Sequence, residues 1–270
     1  LRHAETLDVV RIHSILGLPI EGFLAGDRPF RNPHHSISET GLIGGGSRLR
    51  PGEISLAHNG VLFLDEFPEF RRSALEGLRA PLEAGKVNVA RARGSETFPA
   101  SFQLIAAMNP CPCGRLSDLR SPCICSRAEI ARYLGKLSQP ILDRIDLKVE
   151  LKALTTQERM APPIANQSKK LRAKVQKARD IQQESFKETN IPCNAVISAG
   201  QTFDYCRFAK DAMDHLTQTV EKNIVMSRST NRLAKVARTV ADRNDSAQIH
   251  KAHVDEAAQF VIGGMLREFS

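Results

Sequence analysis

The chain has 270 residues, 41% of them hydrophobic, with a formal net charge of +8, six cysteines and no tryptophan. That length suits one large domain or two modest ones, and no run approaches the ~20 apolar residues of a membrane span or the pattern of a signal peptide. The positive balance favours an anionic partner such as nucleotide or nucleic acid; clustered cysteines without a secretory signal point to a reducing cytoplasm; and the scarcity of Trp and Tyr argues against a stacking-dominated single-strand binder.

The chain opens on Leu1 rather than Met, which reads as a fragment or a processed product. Leu7, Val10, Ile15 and Leu18 predict a helix over 1–19, stopped by Gly17 and Pro19. A short strand is expected at Arg28-Pro29-Phe30-Arg31. The pair His34-His35 has no nearby Cys or carboxylate to complete a metal site, so a structural or hydrogen-bonding role is expected. Gly41 to Gly46 has the glycine spacing of a phosphate-cradling loop, but Ser47 stands where such a loop needs Lys. No Gly-Lys-Ser or Gly-Lys-Thr occurs in the chain. The stretch is therefore read as a mobile loop.

A short helix is expected over 51–58. It feeds Val61-Leu62-Phe63-Leu64, an apolar run between Asn59-Gly60 and Pro68 that reads as a strand covered on both faces of a parallel sheet. The run ends in Asp65-Glu66. Open α/β sheets place ligands at the carboxyl ends of their strands. In ATP-hydrolysing folds the first acid of such a pair helps hold Mg²⁺ through its water shell, and the second polarises the attacking water. A helix is expected over 69–84, bent at Pro81 and closed by Gly85.

Val87, Val89, Phe98 and Ala100 around a turn at 91–95 predict a β-hairpin over 86–100. Lys86, Arg91 and Arg93 make it a candidate grip on a phosphate backbone. A second buried strand is expected over 102–109, ending in Asn109, whose amide suits orienting a water beside the acids. Cys111, Cys113, Cys123 and Cys125 follow as C-x-C-x9-C-x-C. Four thiols suit tetrahedral zinc, but the one-residue spacing is shorter than usual. Zinc and reduced loop cysteines both stay open. Beyond a helix at 127–137, Arg144 sits between Asp143 and Asp146. It is read either as paired with one of them or as presented to a neighbouring subunit. A strand is expected over 148–151, and residues 161–168 read as a linker. The remainder reads as helical: a basic helix at 169–180, helices at 204–222 and 228–242, and a last one near 253–262. In the 228–242 helix, Leu233, Val236, Ala237, Val240 and Ala241 make an apolar face opposite Arg228, Arg232 and Lys235.

These stretches together resemble the Mg-chelatase-like AAA+ ATPases, closest to the ComM (YifB-like) competence protein branch. The resemblance rests on Arg28–Ser36, Gly41–Gly46, Pro51–His58, the acidic strand, Asn109–Gly114, Leu142–Asp146 and Val236–Thr239, and covers nearly the whole chain. It implies an α/β AAA+ core with a three-layer parallel sheet over 1–160, lacking its first strand and P-loop, then the linker, and a small all-α lid domain of the Mg-chelatase C-terminal type over 169–270. It implies Asp65 and Glu66 as Walker B acids, Asn109 as sensor 1, Arg144 as an arginine finger and Arg228 as sensor 2. It also implies ATP and Mg²⁺ as ligands, DNA at the 86–100 hairpin facing a pore, and a hexameric ring. The missing P-loop implies that the parent protein hydrolyses ATP while these 270 residues alone do not. Two alternatives accompany this reading, the ATPase subunit of a magnesium chelatase and a truncated, non-enzymatic binding module.

Overall fold

A computed structural model of the chain describes residues 1–46, 49–91, 94–116, 121–151, 154–162, 164–189, 191–223 and 227–262, with backbone only at 90–91 and 227–228. The chain divides into two compact units, Leu1–Ile145 and Asp146–Ser270. Among the described residues no helix is long and apolar enough to cross a membrane.

In the first unit the opening helix spans His3–Ile15 and ends before Gly17, whose φ of 65° the helix cannot continue through. Among the described residues seven strands follow: β1 (Phe30–Arg31), β2 (Gly44–Gly45), β3 (Arg50–Pro51), β4 (Val61–Leu64), β5 (Lys86–Arg91), β6 (Gly94–Pro99) and β7 (Gln103–Ala106). The central sheet has the order β1-β4-β7, all parallel. Its register sets Leu62 against Leu104 and Phe63 against Ile105. Because alternate residues face opposite sides, Leu62 and Leu64 point into one core, with Ile54, Phe67, Leu75, Leu78 and Ile141.

The other face carries Phe30 and Ile105, which are 63% and 41% exposed, with Phe30 stacked on Phe63 at 6.2 Å. The expected burial on both faces is therefore not what the described residues show: only one face is covered. The predicted second buried strand is likewise an edge strand with mostly exposed residues. Apolar runs of this length do not by themselves reveal how many faces are covered.

Three local expectations change. The glycine stretch is not simply a loop: Ser38 caps a helix at Glu39–Ile43, accepting from the Gly41 N–H at 3.0 Å, and β2 pairs antiparallel with β3. Ser47 and Arg48 lie outside the described residues. The helix expected over 69–84 is a 3₁₀ turn at Phe67–Glu69 followed by helices Arg72–Gly77 and Arg79–Ala84. The break falls about one turn before Pro81, whose ring crowds the carbonyl four residues back and which has no N–H to give it. Gly85 closes the second helix in the left-handed conformation, as read from the sequence. The hairpin is observed as β5 and β6, with Val87 opposite Phe98.

The second unit is helical. Its helices include Gln167–Ser185, Lys210–Lys222, Ser227–Arg243 and Lys251–Val261. Among the described residues no strand forms over 148–151; the Lys148 N–H donates to the Phe260 carbonyl at 2.9 Å. Leu233, Ala237 and Ala241 are fully buried on the Ser227–Arg243 helix, beside Val254 and Ala257. Small side chains at this spacing let neighbouring helices approach closely.

Polar residues of that helix find partners within the unit, while the Arg228 side chain lies outside what is described. The Arg232 side chain is 12% exposed and pairs with Asp146 at 2.8 Å, the Lys235 ammonium reaches the Ala195 carbonyl at 3.3 Å, and Arg238 is buried against Asp242. Chain wraps this helix on more than one side, so its polar residues find internal partners.

Candidate functional site

The acidic pair emerges where β4 ends. The Ala107 N–H donates to the Leu64 carbonyl and the Phe67 N–H to the Ala107 carbonyl, both at 2.9 Å. These bonds extend the β4–β7 pairing past the last strand residues. They bring Asp65-Glu66 and the segment leading to Asn109 out of the sheet side by side. Asp65, Glu66 and Asn109 are exposed, whereas the flanking Leu64 and Phe67 are buried. Buried anchors on both sides hold the exposed carboxylates in place.

Glu66 has φ 52° and ψ 45°, the left-handed region. For a residue with a Cβ this costs about 1–2 kcal/mol, and such strain concentrates at functional sites. The conformation is supported locally. The Glu66 N–H donates to Asp65 Oδ1 at 2.9 Å, and Phe67 and Pro68 bury directly afterwards. The reversal points the Glu66 carboxylate at His35, with Nδ1 to Oε2 at 2.8 Å. The His35 ring lies 4.1 Å from His34 and 6.4 Å, edge-on, from Phe70. His34 Nδ1 is 2.9 Å from Ser36 Oγ. A hydrogen-bonding role for this histidine pair was legible in the sequence, but its partner was not. The one available signal is position: His35 follows β1, the parallel neighbour of β4.

Exposed carboxylate oxygen at a strand end matches the donor set that Mg²⁺ prefers, a carboxylate or two with retained waters. Asp65 is the residue that would hold such an ion. A cavity of about 390 Å³ opens next to this corner, lined by Pro68, Glu69, Phe70, Arg72, Arg132 and Lys136. It does not include either acid, and the Lys136–Glu69 pair at 2.8 Å spans its wall.

The remaining predicted residues are placed as follows. Lys86 is exposed at the start of β5, Arg91 is described by its backbone alone, and Arg93 lies outside the described residues. Arg228 belongs to the Ser227–Arg243 helix by its backbone, and its side chain is likewise outside what is described. Arg144 pairs with neither Asp143 nor Asp146. Its guanidinium donates to the Pro140 carbonyl and to Glu83, and its side chain is only 13% exposed. The Arg144 Nε is buried without a hydrogen-bond partner, so part of this guanidinium's donor capacity is unused.

The four cysteines converge. Cys111 Sγ lies 3.4 Å from Cys113 Sγ, and Cys123 Sγ lies 3.6 Å from each. Cys125 completes a set with all four sulfurs within 4.8 Å of one another. The Ile124 and Arg115 amides donate to Cys113, which holds its thiol down at about 6. The Cys113 amide donates to Cys125 and works to lower its thiol, but desolvation and the neighbouring sulfurs together push it up to about 12.

Residues 1–159 match the family model for magnesium chelatase subunit ChlI, and residues 165–261 match the model for its C-terminal region. The chain is 42% identical over 236 residues to competence protein ComM of Haemophilus influenzae, covering 85% of this chain and 44% of that protein. It is 38% identical over 268 residues to the uncharacterized protein YifB of Escherichia coli, covering 96% and 50%. An uncharacterized protein of Mycobacterium tuberculosis is 40% identical over 249 residues, covering 90% and 48%. The chain thus spans about half the length of the curated relatives it matches.

Proposed function

The chain belongs to the magnesium chelatase subunit ChlI family, and from that premise we propose that it is the hydrolytic portion of a ring-forming, ATP-dependent motor that acts on DNA. The observation that carries this reading is the shared strand end, with Asp65-Glu66 leaving β4 beside the segment that runs from β7 to Asn109. Asp65 would hold Mg²⁺ through its water shell, and the ion would supply neutralisation of charge on the transferred phosphoryl group. Glu66 polarises the attacking water, and its backbone strain is retained because the carboxylate has to face the site. His35 keeps that carboxylate in place, and Asn109 orients the water.

Arg144 serves a neighbouring subunit as an arginine finger, a device that stabilises phosphoryl charge across an interface. For that role it leaves its contacts with Glu83 and Pro140. Arg228 reads the nucleotide from the helical part. In this reading 1–160 is the AAA+ core and 169–270 the lid, joined by 161–168, and Lys86, Arg91 and Arg93 on the hairpin contact DNA. The similarity to a competence protein supports helicase-type action on transforming DNA over service to a chelatase, although the family model carries the chelatase name. The 270 residues contain no Gly-Lys-Ser or Gly-Lys-Thr, so the activity is assigned to a protein of the relatives' full length.

The test is ATP turnover by the full-length protein and its Glu66→Gln variant. Loss of a general base costs about 10²–10⁴ in rate, with nucleotide binding retained; turnover within threefold of wild type removes Glu66 from this role. Stimulation by branched DNA, weakening steeply with salt, favours the DNA motor. Stimulation by a porphyrin-bearing chelatase partner instead favours the alternative.

A further inference from the structure

We propose that Cys111, Cys113, Cys123 and Cys125 form a closed tetrathiolate zinc site that staples the loop after Asn109. A zinc–sulfur bond of about 2.3 Å places the sulfurs of a regular tetrahedron about 3.8 Å apart. The separations of 3.4, 3.6 and 3.6 Å among three of the four differ from that edge by a few tenths of an ångström, and the fourth sulfur lies within 4.8 Å of the others, about 1 Å beyond the edge at most. They also far exceed a disulfide bond of about 2.05 Å, and the sulfurs do not divide into two close pairs. All four cysteines are free.

The backbone is arranged for the same purpose. The Ile124 and Arg115 amides donate to the Cys113 sulfur, the Cys113 amide to Cys125 and the Cys125 amide to Cys123. Amides aimed at sulfur orient the ligand atoms toward one point, as outer-shell hydrogen bonds do around metal sites. This circuit resolves the objection raised by the short C-x-C spacing: each two-cysteine turn supplies both ligands and amides from one bend. Four thiolates leave no open position, so the ion is structural. Soft sulfur donors select zinc over Mg²⁺.

The place of the site says what it stabilises. Only Pro110 separates Asn109 from Cys111. The loop then folds back so that Gly114, at φ 74°, lies against the Asn109 carboxamide; a Cβ there would sit 3.7 Å from Asn109 Cγ and Oδ1. The Asn109 backbone N–H also donates to the Tyr133 hydroxyl. Among the described residues of this loop only Cys111 is buried, so zinc rather than apolar packing fixes its end and holds Asn109 at the strand end. The metal site stands without the ATPase reading; only the consequence for Asn109 rests on it.

The experiment uses the full 270-residue chain purified without chelators. Elemental analysis is expected to find one zinc per chain, with Cys113→Ser and Cys123→Ser each reducing this at least tenfold and Cys193→Ser leaving it unchanged. Because those variants can misfold, the wild-type chain is also stripped of metal and titrated with cobalt(II). One equivalent is expected to give the visible bands of tetrahedral thiolate coordination, lost on adding excess zinc. Amide exchange over residues 109–116 and 121–127 is expected to slow at least tenfold with zinc bound. Stoichiometric iron, an intact mass short by the hydrogens of a disulfide, or no metal together with no cobalt spectrum each overturns the proposal.

Discussion

Gly60 is the position at which the sheet is most sensitive to a single added carbon. A Cβ there would lie 2.0 Å from the Pro29 carbonyl oxygen, 2.8 Å from its carbon and 2.9 Å from Pro29 Cδ. Contact at normal distance requires β1 and β4 to separate by more than about 1 Å. Relief by sliding the other way is blocked, because the Gln103 N–H donates to the Gly60 carbonyl at 2.9 Å and the Asn59 N–H to the Ser101 carbonyl at 2.7 Å. Gly60→Ala therefore breaks the Val61 N–H to Pro29 bond, now 2.8 Å, and loosens a pairing of only two residues. Overpacking costs about 1–3 kcal/mol and the lost bond about 1 kcal/mol, together about 2–4 kcal/mol. For a unit of this size that lowers Tm by roughly 5–15 °C. The chain has no tryptophan, so scanning calorimetry is the assay. Gly200→Ala is the control, since a Cβ there meets nothing within 4 Å. A Gly60→Ala transition within 1 °C of wild type refutes the close approach and the placement of His35 that follows from it.

Three further outcomes are expected. Arg238→Ala leaves the buried Asp242 without its cation, although Asn194 still donates to it at 2.7 Å; stability falls by about 3–5 kcal/mol, measured by urea unfolding, and a loss below 1 kcal/mol contradicts a buried pair. In the full-length protein, His35→Ala releases the Glu66 carboxylate and lowers kcat about tenfold or more, the equivalent of one hydrogen bond to a charged group at about 1.5–3 kcal/mol. KM stays within twofold and His35→Gln recovers part of the loss; unchanged kcat removes the positioning role. Finally, burial pushes His58 and His13 below the ordinary imidazole value of 6.5. His58 Nδ1 accepts from the Ser101 N–H at 3.0 Å, which suits the neutral ring. The unfolded chain therefore binds more protons below pH 6.5, stability is full above that value, and it declines as pH falls through the window beneath it. Each full unit of depression is worth about 1.4 kcal/mol. A melting temperature for the first unit that is flat from pH 7.5 to 5, with His58→Gln behaving the same, contradicts this assignment.

Much of the molecule was legible from residue pattern alone, and the reason is locality. The β4 run, the hairpin carrying Val87 and Phe98, the stop at Gly85 and the apolar face around Leu233 and Ala237 each depend on periodicity or turn chemistry within a few residues. The run from an apolar strand into Asp65-Glu66, and from a second strand to Asn109, carries its own chemical meaning for the same reason. What depended on distant chain was not legible. The exposure of Phe30 and Ile105 on the second face of the sheet, the absence of a strand over the described residues 148–151, and the internal pairing of Arg232 with Asp146 follow from which elements pack around them. Arg144 turned to Glu83, 61 residues away, rather than to the acids beside it in sequence. The left-handed backbone of Glu66 and its contact with His35 exist only because two parallel strands, 30 residues apart, end at the same edge. The four cysteines were countable from the start; that their sulfurs meet at tetrahedral distances is a consequence of a loop folding back on itself.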